Sequence, residues 1–500
     1  MRQPGREALF LGTALLLCSA FTGCVANRAY REKAPVLYEC APERKPTKTK
    51  VTKTECPKDK PKYSLAFVEF DDVGEMFDKP SEFPKDGDGK EHDNSELGQT
   101  IAEIKRINDL NSDPVFVVFI HGWKNNASSS SGNVWGFRSE LQSLAEELND
   151  PEHRKPGDLP RPVMGIFVGW RGEATSLPVA KDFSFWNRKN AATRIPGAHL
   201  TEALRRIAIA AKSNPRAKCV VVGHSFGGLV MERTLTQAMV EMILEYREEN
   251  DRIERAVTAG DMNKDTAARE KQNAEDKLQT RRPDLTVLLN EAGPATEAKE
   301  FLNFLVHQDV EFADSQNVRH PLFLSLTSTG DSATHIIFPV GQFLGKHGLN
   351  TRKYEEPDEF GETDQNHYFL HTTANSPRLV SHRVMPSDSA PTECKATLYK
   401  DFQLGNKTYY ICPSSSATNR TPYWVMQIPT EFVPDHSTVF KPELRVLLKA
   451  FMAPHLAVSA PSGAVAGAGE TPTQKAPGIK LRRREEQKPQ LKQTDQKPGS

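Results

Sequence analysis

The chain has 500 residues, of which 37% are hydrophobic and 26% charged, enough apolar material for one large core or two ordinary ones. Lysines and arginines number 65, as do aspartates and glutamates, so the formal net charge is zero. This balance gives no electrostatic reason to expect a nucleic acid as a partner, and we predict none.

The N-terminus has the pattern of an export signal. Arg2 and Arg6 precede an apolar segment, Leu9 to Leu17, that is too short to cross a bilayer as a helix. The residues FTGC that end at Cys24 resemble a bacterial lipoprotein box, with phenylalanine where that box usually has leucine. The resemblance implies a signal peptide over residues 1–23, a lipid on Cys24 and a membrane-anchored protein of the cell envelope. Ordinary secretion and an uncleaved anchor are the alternatives.

Two segments are poor in large apolar side chains. Residues 24–62 are rich in Lys, Pro and Thr, and residues 457–500 run through Ala, Gly and Pro into a mixed-charge end. Neither segment can bury enough surface to offset the entropy lost on ordering. We therefore predict a solvated tether, a disordered tail and a folded domain over residues 63–456.

The cysteines fit an oxidising compartment. Five remain beyond Cys24, and the pairs that lie close in sequence predict disulfides Cys40–Cys56 and Cys394–Cys412. Cys219 begins an apolar run, which predicts a buried free thiol. No Cys/His spacing is typical of a metal site, and we predict neither a metal nor an organic cofactor.

Short apolar runs alternate with helical patterns through the domain. The predicted strands are Ser64–Asp72, Pro114–Trp123, Pro162–Trp170, Cys219–Ser225, Leu285–Gly293, Pro321–Asp331 and Tyr423–Pro429. The predicted helices are Leu97–Asn108, Val134–Asp150 with Asn133 as its candidate cap, one within Ile195–Ser213, one after Ser225, Glu297–Gln308 and Pro442–Phe451. Fully apolar strands separated by helices predict an α/β fold with a mostly parallel sheet covered on both faces.

Two long excursions interrupt this alternation. Residues 239–282 are highly charged and predict a long solvated helix or a helical hairpin. Residues 339–421, between the last two predicted strands, are the candidate for an insertion or cap over an active site.

The sequence Gly223-His224-Ser225-Phe226-Gly227 lies between a predicted strand and a predicted helix. A sharp turn of this kind exposes a serine hydroxyl above the carboxyl edge of a sheet, and Gly223 and Gly227 leave room for backbone segments to approach. The helix N-terminus behind Ser225 favours developing negative charge. This context predicts that Ser225 is a nucleophile, whereas a lone match to the motif can occur by chance.

Upstream, the strand Pro114–Trp123 ends in His121-Gly122-Trp123. With the serine motif, this sequence resembles the α/β-hydrolase superfamily, and the likeness extends over most of residues 64–451. The resemblance implies an oxyanion hole made by the backbone N–H groups of Phe226 and Trp123. It also implies that Gly122 lies in that loop. We interpret His121 as a structural residue that organises it.

In this superfamily the acid follows the serine and precedes the histidine. Gly330-Asp331 ends a predicted strand, where the superfamily usually carries its acid. Glu291, at the end of the preceding strand, is the alternative acid. Asp314 and Asp364 lie in polar surroundings, which indicates solvated positions.

The base is harder to assign because the last third of the chain has several histidines. His436 lies in a loop after the last predicted strand, which is the usual position of a triad histidine. His382, within the second excursion, is the alternative. The order Ser225, Asp331, His436 matches the superfamily and differs from other common serine hydrolases.

These residues predict a serine hydrolase of the esterase or lipase type that cleaves carboxylic esters through an acyl-enzyme. A thioesterase or amidase would use the same residues, and a non-catalytic protein that binds an envelope partner is the alternative outside enzymes.

Overall fold

The computed structural model describes residues 28–31, 36–39, 63–77, 95–110, 112–152, 159–173, 185–313, 319–345, 356–395, 402–414, 417–456 and 478–481. The predicted signal peptide, the lipidation site Cys24, the Cys40–Cys56 pair and Asp314 lie outside these residues. No described helix combines the length and the apolar character needed to cross a membrane.

The domain is built on a large sheet. The strands of the described residues are β1 Val36–Glu39, β2 Tyr63–Glu69, β3 Val115–Ile120, β4 Val163–Gly169, β5 Lys218–His224, β6 Leu285–Leu289, β7 Val310–Ala313, β8 Phe323–Ser328, β9 His382–Pro386, β10 Phe402–Leu404, β11 Lys407–Pro413, β12 Tyr423–Ile428 and β13 Gly478–Leu481. Eleven of them form one sheet in the order β1-β2-β4-β3-β5-β6-β8-β12-β9-β11-β10. From β2 to β9 every neighbouring pair is parallel, and the pairs at both edges are antiparallel.

Helices pack on both faces of this sheet. The α-helices of the described residues are α1 Glu96–Asn108, α2 Gly132–Leu148, α3 Phe185–Arg194, α4 Ala198–Lys212, α5 Phe226–Ala259, α6 Lys264–Thr280, α7 Ala295–His307, α8 Phe338–Gly345, α9 Gln365–Leu370, α10 Thr392–Lys395 and α11 Pro442–Leu456. Alternate residues of a central strand face opposite sides, so Val221 of β5 packs with α4 and α5 while Val220 packs with α11. The predicted α/β class with a mostly parallel sheet between helices is confirmed.

The first excursion is a helical hairpin, as predicted. Helix α5 ends at Gly260, whose φ of +84° closes the helix, and α6 begins after Asn263, whose side chain accepts the N–H of Thr266 at 2.8 Å. The prediction that Asn133 caps the second helix is wrong. Ser131 is the N-cap, and Asn133 lies buried inside α2.

The second half of the second excursion, residues 339–421, adds strands to the edge of the sheet. Strand β9 adds in parallel to β12, and β11 and β10 follow at the edge. A disulfide joins Cys394 to Cys412, which confirms that predicted pair. Residues of 402–413, several of them β-branched or aromatic, pair as strands at this edge, and a role of the segment as a cap over the site stays a prediction.

Short strands form in both the predicted tether and the predicted tail. In the tether, β1 pairs antiparallel with β2, and the backbone N–H of Tyr30 donates to both carboxylate oxygens of Glu69 at 3.0 Å. The prediction of a disordered tail is wrong for Gly478–Leu481, which pairs antiparallel with β7. Ile479 is buried there, and apolar burial at an otherwise open strand edge accounts for this pairing.

Candidate active site

Ser225 lies at a sharp bend between β5 and α5. Its backbone has φ 57° and ψ −122°, a conformation that a residue other than glycine rarely adopts. The bend is fixed on both sides, because the N–H of Ser225 donates to the carbonyl of Leu289 at 3.0 Å and its own carbonyl accepts from Gly228 at 2.9 Å. The side chain is thereby held at the carboxyl edge of the sheet, as the sequence predicts.

The two glycines of the motif are required by close backbone approach. A Cβ atom at Gly227 would lie 2.3 Å from the carbonyl oxygen of Ile120, and one at Gly223 would lie 2.6 Å from the carbonyl oxygen of Gly227. Both distances are well inside van der Waals contact. A side chain at Gly227 would therefore push α5 away from β3, and one at Gly223 would push α5 away from β5.

Asp331 and His436 meet Ser225 at this edge. Nε2 of His436 lies 2.7 Å from Oγ of Ser225, and its Nδ1 lies 2.8 Å from Oδ2 of Asp331. Since a carboxylate only accepts, Nδ1 donates to Asp331 and Nε2 accepts the serine proton. The structure thus brings together the three residues that the sequence predicts as nucleophile, acid and base. The hydroxyl of Ser225 is set for activation by the imidazole.

Asp331 is held as a carboxylate. It is fully buried, and it accepts the N–H groups of Ala333 and Thr334 together with the hydroxyl of Thr334 at 2.8 Å. Burial raises the pKa of Asp331, but the hydrogen bonds from His436 and Thr334 outweigh it and leave the pKa below its ordinary value. An ionised acid fixes the tautomer of His436 that the serine needs.

The loop after β3 passes directly against the nucleophile. A Cβ built on Gly122 would lie 2.6 Å from Cβ of Ser225. His121 is buried, accepts the backbone N–H of Trp170 on Nε2 at 3.0 Å, and stacks on that indole ring at 5.5 Å. These contacts are those of a structural residue that organises the loop.

The side chains of the two residues predicted to supply oxyanion donors, Phe226 and Trp123, are neighbours. Phe226 is the first residue of the 34-residue α5, and its ring centroid lies 6.5 Å from that of Trp123. The N–H groups at a helix N-terminus lack intrahelical partners and favour negative charge. Donation by Phe226 and Trp123 to an oxyanion stays a prediction.

Glu291, the alternative acid, lies away from the imidazole of His436. It faces Glu232 of α5 in the core, and the hydroxyl of Tyr423 donates to Glu232. Burial, then the charge of Glu232, raises the pKa of Glu291 well above its ordinary value. This surrounding disfavours the charged form of Glu291, and the carboxylate that Nδ1 of His436 meets is that of Asp331.

His382, the alternative base, is also in the core. Its ring stacks on Trp424 at 3.8 Å, and its Nδ1 lies 2.9 Å from the hydroxyl of Ser381. Burial lowers the pKa of His382 to about 3. Its contacts are structural and do not include Ser225.

Asn290, Ser328 and Thr334 support the site and were not predicted. Thr334 binds the acid, while Asn290 and Ser328 donate to backbone carbonyls of the loop that carries His436. The only signal in the sequence is their position at or just after strand ends. Which of the many polar residues there point inward depends on the register of the sheet.

No family model, curated protein or solved structure matches the chain. Among the described residues, no three histidine, cysteine, aspartate or glutamate side chains cluster in a way that could hold a metal ion.

Three buried histidines make the folded state sensitive to acid. Burial lowers the pKa of His121 to about 4 and those of His224 and His382 to about 3, from an ordinary value of 6.5. Below pH 6.5 the unfolded chain binds protons at these three positions that the folded chain does not, so the histidine contribution to the free energy of unfolding decreases as the pH falls. The buried carboxyls of Glu69, Glu232 and Glu291, whose pKa values are raised by burial, act in the opposite direction. Each histidine contributes about 1.4 kcal/mol per pH unit until its folded pKa is reached.

Urea unfolding of the wild type and of His382→Phe, which keeps a ring against Trp424, isolates the contribution of one histidine between pH 6.5 and about 4. We expect the slope of the unfolding free energy against pH to be lower in the variant by about 1.4 kcal/mol per pH unit. An unchanged slope in the variant would rule out a neutral, buried His382.

Proposed function

We propose that the chain is a serine hydrolase of the α/β-hydrolase type that cleaves carboxylic esters. The observation that carries the proposal is the continuous hydrogen-bonded series from Asp331 through His436 to Oγ of Ser225. A strained serine at a strand-to-helix bend with these two partners is the arrangement expected of an acyl-transfer nucleophile.

The proposed reaction uses side chains and backbone amides of this chain. His436 takes the proton of Ser225 as the hydroxyl attacks the ester carbonyl, and it returns that proton to the leaving alcohol. Asp331 stabilises the imidazolium. The N–H groups of Phe226 and Trp123 would stabilise the tetrahedral oxyanion, each by about 3 kcal/mol. Water activated by the same histidine then releases the acid.

An apolar surface next to the acid supports a substrate with an apolar acyl group. The segment that follows Asp331 has no Asp, Glu, Lys or Arg through Gly345, and it forms a π-helical turn over Ala333–Ile337 and then α8. Four of its large apolar side chains are 54–58% exposed: Ile336, Ile337, Val340 and Phe343. On the other side of the helix, Phe338 is buried. Exposed apolar faces of this kind commonly serve binding.

We propose that the protein is located in the cell envelope, where a lipid on Cys24 attaches the domain to the membrane. This part of the proposal depends on the FTGC sequence and the apolar segment before it. A lipid anchor would keep the domain near membrane esters.

Hydrolysis of p-nitrophenyl esters tests the proposal. We expect kcat/KM to rise from the acetyl through the butyryl to the octanoyl ester, because a longer chain buries more surface on the apolar face. The Ser225→Ala variant gives the rate of hydrolysis that does not depend on the nucleophile. Equal rates for wild type and Ser225→Ala across the series would contradict ester hydrolysis and favour a binding protein. Turnover confined to octanoyl thioester or anilide would reassign the substrate class.

A further inference from the structure

The loop that carries His436 runs from the end of β12 to α11 and is tied to the sheet through its backbone carbonyls. Nε2 of His224 lies 2.7 Å from the carbonyl oxygen of His436. Because a carbonyl only accepts, this nitrogen must carry the proton. The amide of Asn290 donates to the same oxygen at 3.3 Å and to the carbonyl of Asp435 at 3.2 Å.

A third donor holds the start of the loop. The hydroxyl of Ser328 donates to the carbonyl of Val433. His224, Asn290 and Ser328 lie at the carboxyl ends of β5, β6 and β8, which are neighbours in the sheet. The base is therefore tied to three adjacent strands, one of which leads into Ser225.

The donors are themselves fixed. His224, Asn290 and Ser328 are each no more than 3% exposed. Oδ1 of Asn290 accepts the N–H of Ser328 at 3.0 Å, which determines which way its amide points. Asn290 also has a φ of +44°, a conformation that costs energy and persists only where the surrounding contacts enforce it.

The tip of the loop, residues 434–438, needs such anchors because these residues are exposed or half-buried, whereas Phe432 and Val433 before them are buried. The side chain of His436 is 22% exposed, and Asp435 and Ser437 beside it are exposed. The distance between Nε2 of His436 and Oγ of Ser225 therefore depends on where the backbone at residue 436 is held. A misplacement of about 1 Å in a reacting group can cost roughly 100-fold in rate.

We propose that His224 and Asn290 are positioning residues that act through the base: together they hold the backbone carbonyl of His436 so that its ring meets Ser225. This inference rests on the proposed function and assigns a role to the histidine inside the Gly-His-Ser-Phe-Gly motif. Neither side chain touches Oγ of Ser225 or the carboxylate of Asp331.

A double-mutant cycle tests this role. His224→Leu removes the donor, and His224→Gln keeps an N–H near the same place. Each is measured alone and in the His436→Ala background, with kcat, KM and the rate of phosphonylation by a fluorophosphonate as readouts. We expect His224→Leu to lower kcat roughly 10- to 100-fold with little change in KM, and His224→Gln to recover most of the loss.

In the His436→Ala background the effect of His224→Leu on phosphonylation should shrink to about twofold or less, since there is no base left to position. An equal effect in both backgrounds, or no effect in the wild type, would overturn the inference while leaving the proposed function intact. Wild-type activity in His436→Ala alone would overturn both. If His224→Leu does not fold, Asn290→Gly, which removes a donor and accepts the positive φ, enters the same cycle with the same criteria.

Discussion

Alanine at position 436 will lower kcat on an aryl ester by roughly 10⁴- to 10⁶-fold, with KM changed only a few fold. The reason is that Nε2 of His436, 2.7 Å from Oγ of Ser225, is the group set to take the serine proton. Without it, a hydroxyl with a high pKa must attack unassisted, while substrate contacts remain. Steady-state kinetics with a short p-nitrophenyl ester measure both constants.

His382→Phe is the matched control for this prediction. His382 is a buried histidine of the same domain, but its ring stacks on Trp424, whereas the histidine that meets Oγ of Ser225 is His436. We expect its kcat to stay within a few fold of the wild-type value at a temperature where the variant is folded. A large loss in His382→Phe combined with normal turnover in His436→Ala would reverse the assignment of the base.

The sequence was sufficient to predict the central sheet, because its strands are continuously apolar. Val220 and Val221 of β5 face opposite helical layers, and only a strand covered on both faces uses apolar residues without alternation. The edges of the sheet were not predictable in this way. Strands β9 and β11 are half-polar, and their pairing depends on partners that are distant in the chain.

The three residues of the candidate site were predictable for a geometric reason. Parallel strands end at a common edge, so polar residues placed after β5, β8 and β12 must converge when these strands are near neighbours in the sheet. The choice of Asp331 over Glu291 follows the same reasoning, but only the structure shows that Glu291 faces Glu232 in the core.

The hydrogen bonds that hold the base could not be predicted. His224 donates to a main-chain carbonyl 212 residues further along the chain, and a backbone acceptor leaves no pattern in the sequence. The pairing of Gly478–Leu481 with β7 could not be predicted for a different reason. Four residues are too few to show a strand periodicity within a polar tail.

The second large effect is expected at the nucleophile itself. Ser225→Ala keeps a small side chain at the bend and removes only the hydroxyl group, so we expect turnover to fall by about 10⁶-fold. The remaining hydrogen bonds of the bend, from Ser225 N–H to Leu289 and from Gly228 to the carbonyl of Ser225, involve only the backbone and should persist. Circular dichroism and the thermal midpoint of the variant check that the fold is retained.

Covalent labelling tests most directly whether Ser225 is an activated nucleophile. A fluorophosphonate should form one adduct per chain, and peptide mapping by mass spectrometry should locate it on Ser225, inside the segment Val220–Leu235. Ser225→Ala should not be labelled, and His436→Ala should be labelled far more slowly than the wild type. A folded wild-type chain that takes up no label, or equal labelling of wild type and Ser225→Ala, would contradict the account.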